Sequence, residues 1–260
     1  PDVRRMLLWM KSHVEGMRSF VYYVGKCFDI LKNSDDEAEK ALYQGLTDLL
    51  TPLVKAYCAQ RGFDVCIQAM QVYGGYGYTR EYPVEQLARD CKIASIYEGT
   101  DGIQAMDLLG RKLGMDEGKV FMGFMGEVQK VIARAREAKG LGPLADKLEN
   151  ALNRLGETAL HLGKKGVSAE FKTAFAHAFP FLETMGDVIM AWMLLWRASI
   201  AAEKLNNGAK KKDVNFYEGQ LKTAEFFVQT VIPVTCGKMD AIKESSGAAV
   251  TISEVSFGGL

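Results

Sequence analysis

VRRMLLWMKSHVEGMRSFVYYVGKCFDIL, residues 3–31, decides the fold class. Its apolar residues Val3, Met6, Leu7, Met10, Val14, Met17, Phe20, Val21, Val24, Phe28 and Leu31 recur at intervals of three and four, which draws one stripe along a long amphipathic helix. Pro1 and Asp2 suit the first turn of that helix, where proline lacks only a donor that would go unpaired and an acid meets the positive end of the helix dipole. The chain opens without an initiator methionine or a secretory leader, and we expect Pro1 to be the cut end of a longer protein.

Working outward, residues 33–37 (NSDDE) supply turn and N-cap chemistry, after which Ala38, Leu42, Leu46, Leu49, Leu53, Tyr57, Val65 and Met70 resume the helical period. Pro52 is expected to kink or restart this second helix, because it removes a backbone donor and crowds the preceding turn. The period collapses over residues 72–82 (VYGGYGYTREY), where three glycines and four tyrosines predict a structured loop. Pro83 then opens a helix to about Ile96, a break falls at Glu98 and Gly99, and a further helix from about Thr100 carries Ile103, Met106, Leu109 and Leu113 inward, weakened at its end by Gly110 and Gly114. Plain helices are expected over 120–139, 144–164, about 168–205 with an interruption near Pro180, and 215 to about 242, followed by a loose tail over 245–260. Lys210, Lys211 and Lys212 read as a solvated turn. The prediction is an all-α chain with a boundary near residues 114–119.

Composition narrows the function classes. Of 260 residues, 48% are hydrophobic and 25% charged, an ordinary globular balance for one or two domains. Thirty-two basic residues against 32 acidic ones remove the electrostatic footprint of a nucleic-acid binder. Cys27, Cys58, Cys66, Cys91 and Cys236 form no CxxC and are odd in number, so neither a disulfide framework nor a zinc site is expected, and a reducing cytoplasm is the expected compartment. Cys58 and Cys66 could share a helix face, although inert buried thiols are the favoured reading. His13, His161 and His177 stand far apart without ligands at metal spacing, so no metal is expected. The longest apolar run, residues 188–196 (VIMAWMLLW), is far shorter than the roughly 20 residues of a membrane span. No membrane-crossing helix is expected.

The stretch 71–104 differs in kind. Gly74, Gly75 and Gly77 would let backbone N–H groups approach an anion or a planar ligand, and Glu98 stands alone at a helix break. By themselves the glycines read as a tight turn between helices before they read as a ligand cradle, and Glu98 as a capping acid before it reads as a base.

Together, however, these residues carry a resemblance. QVYGGYGYTREYPVEQLARDCKIASIYEGTDGIQ, residues 71–104, resembles the C-terminal signature of the acyl-CoA dehydrogenase family: the QxxGGxGY loop, the EYPVE helix start, the RD-K pair and the IYEGT-x-x-IQ segment, in order and at the family's spacing. The resemblance covers about residues 1–113 as the family's C-terminal helical bundle. Residues 114–260 are similar to the helical extension of the larger bacterial members, among them enzymes acting on 3-(methylthio)propanoyl-CoA. It implies an FAD enzyme that oxidises an acyl-CoA thioester to the trans-2,3-enoyl-CoA, with electron-transfer flavoprotein or a similar acceptor and a homodimeric or homotetrameric assembly.

In that setting Glu98 matches the catalytic base, and its own backbone N–H matches one donor to the thioester carbonyl. A carboxylate so used is expected in a water-poor pocket. Gln71, Val72, Tyr73, Gly74 and Gly75 match the loop against the FAD of a neighbouring subunit. Thr100, Asp101 and Gly102 match the stretch touching FAD of the same subunit, and Gly99 matches a substrate contact. Gly102 departs from the pattern, since many members carry a Gln there that reaches the cofactor. Arg89 and Asp90 match a pair taken as structural. The resemblance further implies an N-terminal helical domain, a middle β domain and a first C-terminal helix beyond this chain. A non-catalytic helical assembly module and an acyl-CoA oxidase are the competing readings.

Overall fold

The computed structural model describes residues 1–258, and among them there are helices and turns but no strands. Helix α1 (Asp2–Asn33) and α2 (Glu37–Tyr73) form a long antiparallel pair. The Asp36 side chain caps α2 by accepting from the N–H groups of Ala38 (2.9 Å) and Glu39 (3.3 Å). Short helices α3 (Val84–Lys92) and α4 (Asp101–Asp107) lie against α2, and α4 runs on through one wide π turn, Leu108–Lys112. The second half holds α5 (Lys119–Glu137), α6 (Gly142–Gly166), α7 (Phe171–Ala176), α8 (Ala178–Asn206), α9 (Val214–Lys243) and α10 (Ala248–Thr251).

Helix α8 is the centre of the molecule, packing against α9, α1, α5, α6 and α4. Nineteen of its residues are buried on every side of the helix, Trp192, Met190 and Leu195 among them. Its length and composition would suit a membrane span, yet 83% of its most apolar window is covered by neighbouring helices, so it serves as the core helix. Each fully buried large side chain in it contributes about 1.5–3 kcal/mol. Gly186 permits the closest approach: a Cβ there would lie 2.0 Å from the Tyr57 ring of α2. The first and second halves of the chain thus share one continuous hydrophobic core.

Several local expectations are corrected. On α1 the buried positions are Met6, Ser12, His13, Gly16, Phe20, Tyr23, Val24 and Cys27, while Val3, Leu7, Val21 and Phe28 are exposed. The apolar arc is wider than the arc that its neighbours cover. Helix α2 passes through Pro52 unbroken, and the buried proline ring becomes part of the core between Leu49 and Leu53. The interruption expected near Pro180 falls at His177, between α7 and α8, because Pro180 sits in the first turn of α8, where its missing N–H costs nothing. The loop expected over 72–82 is largely a 3₁₀ turn, Gly74–Tyr78, and the tail contains α10 and a further turn, Glu254–Phe257. Asp116, Glu117 and Gly118 in the connector are all left-handed, at φ 47°, 56° and 84°.

Candidate functional site

Two exposed features flank α2. The first is the glycine turn at its C-terminal end. Gly74 ends the helix at φ 62°, with its N–H donated to the Gln71 carbonyl, and the 3₁₀ turn folds back on the helix. Gly77 makes that possible, because a Cβ there would lie 2.5 Å from the Met70 carbonyl oxygen and 2.9 Å from the Tyr73 Cβ. Gly75 has neither constraint: its φ is not positive and nothing lies within 4 Å of its Cβ direction. Gln71, Tyr73, Gly74, Gly75, Tyr76 and Tyr78 are all exposed and Val72 is half-buried, so the turn presents backbone and tyrosine faces outward. Tyr82 packs edge-on to Tyr73 and tilted against Tyr76, holding the turn's shape.

The second feature is the break between α3 and α4. A 3₁₀ turn, Ile93–Ser95, leads into Glu98 at φ 50° and Gly99 at φ 90°. Glu98 is a non-glycine residue held in the left-handed region, a conformation that costs about 1–2 kcal/mol and persists only where surroundings enforce it. Its carboxylate is exposed in this chain, not enclosed in the water-poor pocket expected of it. Gly99 packs so closely that a Cβ would meet the Gln104 amide nitrogen at 2.7 Å. Thr100 caps α4, accepting from the Ile103 N–H at 3.2 Å. Gly102 is exposed, and a Cβ there would meet nothing nearer than the Thr100 hydroxyl at 3.8 Å, so the backbone does not demand glycine.

From α2, the Lys55 ammonium donates to the Gly99 carbonyl and lies 3.6 Å from Asp101 Oδ1. That ion pair is just beyond hydrogen-bond length, and the buried Oδ1 accepts no bond. Burial pushes the Asp101 carboxyl up, against the pull of Lys55 and Lys92. A cleft of about 390 Å³ opens here, walled by Gln60, Lys92, Thr100, Asp101 and Gly102, with Phe179 of α8 closing one side. Lys92 ties α3 to α2 through Gln60 Oε1 at 3.3 Å and by lying over the Phe63 ring.

The structure thus brings Glu98, Gly99, Thr100, Asp101 and Gly102 to one break and sets Gln71, Val72, Tyr73, Gly74 and Gly75 apart from them. Eighteen residues of α2 separate Lys55 from Tyr73, about 27 Å at the helical rise of 1.5 Å per residue. Arg89 and Asp90 do not pair with each other; Arg89 bonds Glu85 and Gln86, and Asp90 accepts from Gln86, an exposed helix face. Lys55, Gln104 as a packing partner, and Phe179 were not singled out from the sequence. A signal for Lys55 was there, since a lone cation between Leu53, Val54, Ala56 and Tyr57 must find a partner near a core. Phe179 carried none, because only tertiary packing brings α8 to this cleft.

The cysteines are thiols in half-buried or buried places. Burial pushes Cys58 up to about 12, and Cys66 neighbours Cys91 of α3 in place of Cys58. Among the described residues no three His, Cys, Asp or Glu side chains converge as metal ligands.

Comparison with known proteins gives two profile matches. Residues 1–113 match a family described as acyl-CoA dehydrogenase, C-terminal domain, and residues 124–253 match one described as acetyl-CoA dehydrogenase C-terminal like. A butyryl-CoA dehydrogenase of Syntrophomonas wolfei is 33% identical over 97% of this chain and 41% of its own length. A 3-methylmercaptopropionyl-CoA dehydrogenase of Ruegeria pomeroyi is 34% identical over 97% of the chain and 42% of its own length. The chain therefore spans about two fifths of the length of these relatives. A crystal structure of an acyl-CoA dehydrogenase from Bacillus anthracis, complexed with FAD, superposes with a TM-score of 0.63 at 18% identity, over 96% of this chain and 42% of that one, a likeness of fold. The fold and the two family matches agree on a helical C-terminal region. The chain belongs to the acyl-CoA dehydrogenase family.

Proposed function

We propose that this chain supplies the catalytic base and two cofactor-contacting surfaces of an FAD-dependent enzyme that oxidises an acyl-CoA thioester to the trans-2,3-enoyl-CoA. The observation that carries the reading is the left-handed Glu98–Gly99 break, where a carboxylate is presented on an enforced backbone beside a cleft. Glu98 takes the α proton of the thioester. Its backbone N–H donates to the thioester carbonyl oxygen, where negative charge grows as that proton leaves. Gly99, next to the base, is the residue assigned the substrate contact, through its backbone. FAD, when bound, supplies the acceptor for the hydride lost from the β carbon.

The residues fit such a cofactor. Asp101 Oδ1 is a buried acceptor without a donor, suited to a hydroxyl group of a ligand entering the cleft, and Thr100 and Gly102 line the same opening. Gly74 and Gly75 leave open space above their backbone, so residues 71–75 offer a second, separate contact, to the FAD of a neighbouring subunit in a homo-oligomer. The FAD-complexed Bacillus anthracis structure and the acyl-CoA dehydrogenase relatives support the choice of cofactor and substrate class. The test is Glu98→Gln in the flavin-loaded enzyme containing this chain. Folding and flavin content should be kept while dye-coupled turnover falls by at least about two orders of magnitude, the usual scale for a general base. Turnover within about threefold of wild type would remove Glu98 from the chemistry.

A further inference from the structure

We propose that Lys55 is a positioning residue for Glu98, clamping the Gly99 carbonyl and the Asp101 carboxylate so that the base is held in its left-handed backbone. The inference rests on the reading of Glu98 as the base. Three observations carry it. Lys55 reaches 44 residues along the chain to donate to the carbonyl of the residue that follows Glu98, a bond to backbone and not to a neighbouring side chain. Both ends of the clamp are sheltered: the Lys55 side chain is 23% exposed and that of Asp101 13%, so solvent does little to loosen it. Its platform is rigid, because Leu53, Ala56 and Tyr57 on the same turns of α2 are wholly buried.

The break is gripped from two sides. The Gln104 amide lies against Gly99, 2.7 Å from where a Cβ would stand, and Lys55 pulls on the Gly99 carbonyl. Among the described residues the Glu98 side chain makes no bond that could hold it. With its carbonyl released, the Gly99–Thr100 peptide no longer anchors the break, and Glu98, one residue before it, can relax toward the ordinary right-handed region, turning its carboxylate away. Asp101 completes the arrangement, since its carboxylate keeps the ammonium between itself and the carbonyl.

Lys55→Met and Lys55→Arg in the flavin-loaded enzyme, assayed with a straight-chain acyl-CoA that wild type turns over, test the clamp. Lys55→Met is expected to lower kcat by about 10- to 100-fold, the scale of a slight misplacement of a reacting group, with KM within about twofold and flavin content and Tm unchanged. Backbone hydrogen exchange over residues 98–101, read by mass spectrometry, should quicken by at least about tenfold as the break opens locally. Lys55→Arg should recover most of both effects. Wild-type kcat and exchange in Lys55→Met would overturn the proposal; so would a loss of Tm and flavin together that Lys55→Arg fails to rescue, which marks a merely structural lysine. If Lys55→Met does not fold, Asp101→Asn is read by the same exchange measurement, and unchanged exchange there also overturns it. Glu98→Gln run in parallel separates the failures: an active Glu98→Gln sinks the base and the clamp together, whereas an inactive Glu98→Gln beside a wild-type-like Lys55→Met sinks the clamp alone.

Discussion

The three glycines of the turn after α2 have different reasons to be there. Gly77 is a packing requirement and Gly74 a conformational one, whereas Gly75 is free of both within the chain. Gly77→Ala should therefore destabilise the folded chain by about 1–3 kcal/mol through overpacking against Met70 and Tyr73. Gly75→Ala should stay within about 0.5 kcal/mol of wild type, as surface changes do. Urea midpoints of the two variants decide the matter, and equal losses would mean that the turn is not built as described. If Gly75→Ala nonetheless weakens flavin retention in the loaded enzyme, its glycine serves the ligand and not the fold. The sequence could place all three glycines in one turn but could not rank them, because a clash with Met70 arises only once the turn folds back on its own helix.

At the scale of elements, a buried polar cluster centred on α8 ties α2 on one side and α9 on the other. Tyr57 donates to Asp187 Oδ1 at 2.7 Å, Thr235 donates to Oδ2 at 2.8 Å, and Arg61 lies 3.5 Å from the same carboxylate. Asp187 is only 3% exposed, so these partners take the place of the water its oxygens would otherwise bind. Asp187→Ala should cost about 2–6 kcal/mol, about 1–3 for each of the Tyr57 and Thr235 hydroxyls that lose their buried acceptor, while Arg61 keeps Asp64 at 2.9 Å and Glu183 at 3.1 Å. Tyr57→Phe should cost about 1–3 kcal/mol, the loss of one donor to a buried carboxylate. Equilibrium unfolding of both variants checks the order, and a larger loss for Tyr57→Phe would contradict it. The helices themselves were legible, because a period of three and four residues survives in one dimension: α5, α6 and α9 begin and end within about two residues of expectation. What no period carries is the choice of covered face, and so the exposure of Val21 and Phe28 on α1 and the pairing of Tyr57 with a residue 130 positions away emerge only in three dimensions. The break at Glu98 and Gly99 was legible in the sequence; that the lone cation Lys55 meets it was not, because only the fold brings α2 to the Gly99 carbonyl.

At the scale of the whole molecule, the division between residues 1–113 and the rest is one of sequence pattern, while the core runs across it. α1, α2 and α4 all bury side chains against α8. A chain ending at Leu113 should accordingly show helical circular dichroism without a cooperative thermal transition, having lost the helix that covers it. A sharp melt near that of the intact chain would show that the first segment carries a sufficient core. The place of α8 also bears on how the protein is made. Arg197 bonds Glu15 at 3.3 Å across 182 residues, and the ribosome, at about 5–20 residues per second, takes roughly 10 to 40 seconds to deliver one after the other. During that interval the inward faces of α1 and α2 wait bare, and α8 then emerges apolar on all sides before α9 exists to cover it. The yield of native chains is accordingly expected to respond to chaperone supply and temperature during synthesis.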